Sequence, residues 1–82
     1  MVTSESIKNH IETSMPCELV HVEGDDGRHF EAVIVSAEFR GKSMVQQHQL
    51  VYRALGDRMK QEIHALSMKT LTPEQWVESR QS

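Results

Sequence analysis

A single cysteine, Cys17, stands in the 82 residues of this chain, so no disulfide can form within it. A reducing compartment, by default the cytosol, is therefore expected. No apolar run approaches the ~20 residues that a membrane span requires. The start, MVTSESIKNH, has neither the basic residues nor the apolar core of a signal peptide, so neither export nor insertion is expected. An excess of cations is lacking too. The formal net charge is −3 with histidine neutral, and a chain of that sign is repelled by phosphate backbones and anionic lipid. Nucleic acid then enters only as a weak partner, through a local basic patch.

Repeats, low-complexity segments and linkers are also missing. Residues 1–82 suffice for one domain with a modest core, and 38% hydrophobic with 26% charged residues is the profile of a chain that folds. Short elements follow one another. Thr3 or Ser4 caps a first helix whose apolar positions Ile7 and Ile11 lie four apart, and Pro16 ends it by disfavouring helical geometry at Met15. ELVHVE (Glu18–Glu23) alternates, with Val20 and Val22 on one face and Leu19, His21 and Glu23 on the other. HFEAVIVS (His29–Ser36) is rich in β-branched residues, and GDDG (Gly24–Gly27) between the two reads as a hairpin turn.

From Ser43 the period becomes helical. Ser43 and Gln46 have capping-box spacing, and Met44, His48, Val51, Leu55 and Met59 recur at steps of three and four, with Val45 and Tyr52 widening the stripe. Gly56 falls in the last turns and can equally mark an early end. IHALSMKT (Ile63–Thr70) is strand-like, with His64, Leu66 and Met68 on one face. TPEQW closes the pattern: Thr72 as N-cap, Pro73 at the first helical position, Gln75 returning a hydrogen bond, Trp76 as anchor. The expected architecture is α+β in the order α-β-β-α-β-α, with a three-stranded mixed sheet covered by helices.

Five histidines carry the possible chemistry: His10, His21, His29, His48 and His64. None has the H-x-x-x-H or C-x-x-C spacing of a self-contained zinc site, and most single histidines are solvated or hydrogen-bonded. His48 lies on the helical stripe and reads as a half-buried helix residue. His64 stands out at the entry of a strand, where it can meet His29 if the two strands lie side by side. Two neutral imidazoles suit zinc, copper or one iron of a [2Fe–2S] cluster, but two ligands do not close a site. Other features are poorer. A Gly-x-x-Gly loop serves KH domains as a phosphate clamp, yet here it carries two aspartates inside a hairpin, and it lacks the ligands calcium needs. Cys17 has no basic neighbour, and no Ser/His/Asp or Cys/His set supports an enzyme. Arg40, Lys42, Arg53, Arg58 and Lys60 read as a solvated face that can contact a phosphate or an acidic partner.

Three stretches together, GDDGRHFEAVIVS (24–36), FRGKSMVQQHQLVYRAL (39–55) and IHALSMKTLTPEQW (63–76), resemble the BolA family, in particular its small bacterial IbaG (YrbA) branch. That resemblance implies a fold like the class II KH arrangement. It implies a non-catalytic adaptor that forms a heterodimer with a monothiol glutaredoxin and shares with it a glutathione-ligated [2Fe–2S] cluster, in iron–sulfur trafficking or iron sensing. The cluster is not expected in the isolated chain. The family's ligand on the last strand falls on His64. Its second ligand, a Cys or His from the hairpin region, falls on His29, with His21 behind it. The rival reading from the same resemblance is a DNA-binding transcriptional regulator, and a third is a protein interaction module that uses no metal.

Overall fold

The computed structural model describes residues 3–24, 29–62 and 65–81, with the side chains of 58–62, 65 and 81 left aside. Its elements are α1 (Ser4–Ser14), β1 (Leu19–Glu23), β2 (His29–Val35), a 3-10 turn (Ala37–Phe39), α2 (Met44–Glu62), β3 (Ala65–Leu71) and α3 (Pro73–Gln81). The α-β-β-α-β-α order is the one the sequence predicts, with the 3-10 turn as an addition.

Each helix starts where its capping chemistry dictates. Thr3 Oγ1 accepts from the Ser6 amide at 3.1 Å while Ser6 Oγ accepts from the Thr3 amide at 3.0 Å. The same reciprocal pair forms between Ser43 and Gln46, and again between Thr72 and Gln75, so each box satisfies two amides that a bare helix start leaves open. Gly56 interrupts α2 with φ 81° and ψ 162°, a kink beyond which helix resumes to Glu62.

β2 is the central strand. It pairs antiparallel with β1 and parallel with β3, giving the sheet order β1-β2-β3. The parallel pairing needs a crossover, and α2 provides it. Alternation sorts the faces: Val20, Phe30, Ala32 and Ile34 turn inward against Ile7 and Ile11 of α1 and Val51 and Leu55 of α2. Complete burial of the two α1 isoleucines stabilises the fold by ~1.5–3 kcal/mol each. The opposite face, with His21, Glu23, His29, Glu31, Ser67 and Lys69, is exposed, as one side of a small sheet commonly is.

The stripe expected on α2 is corrected at its start. Met44 and Val45 are exposed, at 69% and 66%, and the first core residue of the helix is Gln47, 8% exposed. Gln47 can be buried because its amide is fully used. Nε2 donates to the carbonyls of Phe39 (3.2 Å) and Lys42 (3.0 Å), and Oε1 accepts from Thr70 Oγ1 at 2.6 Å. A second polar tie is Ser36, whose buried hydroxyl donates to Pro16 O at 2.6 Å and accepts from the Glu38 amide at 3.1 Å. These two residues bind the turn region, α2 and β3 into one unit.

Candidate metal-ligand site at the start of the central strand

The strand register decides which histidines can act together. His29 opens β2, and its partner across the parallel pairing is Ala65, the first residue of β3. Ala65 directly follows His64 in the sequence; His64 itself lies outside the described residues. His21, the other hairpin candidate, pairs with Val33, four residues further along β2. At ~3.3 Å per residue that places it roughly 13 Å from the His29 end of the sheet. It is also engaged, since Nε2 donates to Glu23 Oε1 at 2.9 Å on the open face. Among the two hairpin histidines, register therefore favours His29 as the neighbour of the last strand's entry.

His29 is exposed and lines an open cleft of about 640 Å³ with Ser4, Glu23, Gly24, Glu31 and Ser67. The cleft mixes hydroxyls, two carboxylates and one imidazole. Glu23 and Glu31 are direct cross-strand partners, a like-charge placement that costs stability and gives this end of the sheet an acidic rim. Gly24 shapes the wall: a Cβ there would stand 2.5 Å from Phe30 Cδ1 and 2.7 Å from the His29 carbonyl oxygen. The remaining turn positions, 25–28, lie outside the described residues, so the GDDG turn is seen only through the hairpin strands that flank it.

The other candidates separate from this end. Cys17 precedes β1, whose first residue Leu19 pairs with Val35 at the far end of β2. Six residues of strand, roughly 20 Å, lie between that end and His29. The thiol is half-buried and donates to Met15 O at 3.5 Å; burial first, and the Glu12 carboxylate second, push it above its ordinary pKa. A thiol held protonated is a poor ligand and a poor nucleophile. His10 is exposed on α1, with Nδ1 donating to Ser6 O at 3.1 Å. His48 is half-buried on α2, beside Gln47, which takes the polar core position. Among the described residues no group of three or more His, Cys, Asp or Glu side chains is arranged to hold a metal ion. The basic residues divide as well. Arg40 forks onto Glu74, Nε to Oε1 at 2.8 Å with a second bond from Nη2 to Oε2, tying the 3-10 turn to α3. The pairing hydrogen bond holds the Glu74 carboxyl below its usual range.

Sequence reasoning missed the carboxylate pair and the role of Gly24, because both depend on register and on the return path of β2. The sequence carries no signal for the pair, since Glu23 stands one residue before the GDDG turn and Glu31 four residues after it.

Comparison with known proteins gives a consistent picture. A family model described as BolA-like protein matches residues 2–75. The Arabidopsis thaliana protein named BOLA2 is 39% identical over 80 residues, covering 93% of this chain and 85% of that protein. A Haemophilus influenzae protein named DNA-binding transcriptional regulator BolA is 46% identical over 48 residues, covering 58% of this chain and 47% of that one. Among solved structures, a bolA protein homologue from Coxiella burnetii superposes with a TM-score of 0.82 at 46% identity, covering 94% of this chain and 99% of the other.

Proposed function

The chain belongs to the BolA-like family, and on that premise we propose that it is a non-catalytic adaptor. It docks on a monothiol glutaredoxin and contributes His64 and His29 to a glutathione-ligated [2Fe–2S] cluster, in iron–sulfur trafficking or iron sensing. The observation that carries this reading is the pairing of His29 with Ala65, the residue next to His64. The donor chemistry suits it. Imidazoles offer neutral nitrogen lone pairs to iron and leave the thiolates to come from glutathione and the partner, since Cys17 stands at the other end of the sheet. Neutral ligands in place of thiolates raise the potential of such a centre and loosen its retention, which suits cargo meant to be handed on.

The test mixes the chain with apo and cluster-loaded monothiol glutaredoxin and follows the visible absorption. A changed spectrum that is lost in His64→Ala and in His29→Ala, and kept in His21→Ala, is the expected result. Binding with an unaltered spectrum, indifferent to His64, refutes the cluster role and favours a metal-free interaction module.

The name of the Haemophilus relative supports a second reading, binding to duplex DNA. The net charge of −3 and the Glu23–Glu31 rim weigh against it. An affinity for duplex DNA that falls steeply with salt, measured without any glutaredoxin, would favour it.

A further inference from the structure

The outward side of α2 carries a feature the cluster reading does not use. Of the basic residues that run from the loop into α2, Arg40 is committed to Glu74. Lys42 and Arg53 are exposed and have no carboxylate within ion-pair distance among the described residues. The turns of α2 bring these two into one depression of about 300 Å³ with Gly41, Gln46, Gln49 and Leu50. Gln49 and Arg53 continue it into a second hollow of about 650 Å³ that reaches Gly56 and Asp57. At both end glycines, φ 74° and 81°, the space a side chain would fill is open. The result is a groove along the helix with two unspent cations in its wall.

The amides add a preference. Gln46 Oε1 already accepts from the Ser43 amide at 2.9 Å, which leaves its NH₂ to donate outward, and the Gln49 amide can both donate and accept. Cations set among such amides recognise carboxylates carried on a polypeptide, whose own backbone uses the remaining donors and acceptors. We propose that this groove docks an acidic peptide segment of a protein partner. Nucleic acid suits it less well, because two cations among the described residues are few against the roughly 6–10 phosphate contacts that hold a strongly bound duplex, and Asp57 stands at one end of the groove. The proposal is independent of the proposed cluster role, for which His29 stands on the sheet and outside this groove.

Fluorescence anisotropy with a fluorescein-labelled peptide of alternating glutamate and glycine tests it at low and moderate salt. The variants are Lys42→Glu, Arg53→Glu and the double, with Lys69→Glu on the exposed sheet face as the charge-matched control. Far-UV circular dichroism verifies that each is folded. Each groove substitution is expected to weaken binding about two- to fivefold and the double about tenfold or more. Lys69→Glu should keep the wild-type affinity. The proposal is overturned if Lys69→Glu weakens the peptide as much as the groove variants do, if duplex DNA of equal charge binds more tightly than the peptide, or if no saturable binding appears at low salt.

Discussion

Replacing Gln47 with leucine removes three hydrogen bonds while keeping nearly the same volume, so it isolates what the buried amide does. The Phe39 carbonyl keeps the Lys42 amide as a donor at 3.2 Å, but the Lys42 carbonyl and the Thr70 hydroxyl lose their Gln47 partner. Orphaning the buried Thr70 hydroxyl costs ~1–3 kcal/mol, and the part-buried Lys42 carbonyl adds up to about 1 kcal/mol. Extra apolar burial returns ~1–2 kcal/mol, so the expected net loss is up to about 3 kcal/mol. For 82 residues a total stability of about 4–12 kcal/mol is ordinary, so the loss is a sizeable share. Urea unfolding followed by far-UV circular dichroism should show a lower midpoint at an unchanged slope. Thr70→Val sharpens the test. In the wild type it strands Gln47 Oε1 and should cost ~1–2 kcal/mol; in the leucine background it removes an orphan and should be neutral or stabilising. Equal effects of Thr70→Val in both backgrounds, within about 0.5 kcal/mol, would refute the network.

Three further outcomes are expected. Gly56→Ala should cost ~1–3 kcal/mol through the backbone alone, since a Cβ meets nothing within 4 Å there; an unchanged urea midpoint would show that the helix break needs no glycine. Arg40 lowers the Glu74 pKa through their hydrogen bond, so the pair's contribution is present above the unfolded carboxylate pKa and lost as pH falls through the folded one. The melting-temperature difference between wild type and Glu74→Gln should thus shrink in acid and in high salt, and a gap insensitive to both would contradict the assignment. Cys17, its thiol pushed up by burial and by Glu12, should alkylate with iodoacetamide more slowly than free cysteine and reach the free rate in denaturant; equal rates in the folded chain would contradict it.

Local chemistry made much of this fold readable. The Ser43/Gln46 and Thr72/Gln75 boxes are reciprocal pairs within one turn, so four residues of sequence contain all their determinants. The Val20 and Val22 alternation and the Gly56 break are similarly local. What escaped is what tertiary neighbours decide. Hydropathy assigns Met44 and Val45 to the core stripe, but a helix buries only the turns that face the sheet, and its first turn is exposed. Gln47 scores as a surface residue, and only the carbonyls of Phe39 and Lys42 and the hydroxyl of Thr70 make its burial affordable. At the candidate site, the family resemblance already puts His29 ahead of His21; what it does not give is the strand register that sets His29 opposite Ala65.

On the proposed cluster role, that parallel pairing has a bearing on when the chain would first hold iron. The starts of β2 and β3 are separated by the entire α2 crossover, so His29 and Ala65 become neighbours only after the helix has folded back and the final strand has added to the sheet. A nascent chain on the ribosome, or one with its last strand detached, presents scattered histidines rather than a paired set. Capture of cargo would then report that synthesis and folding are complete.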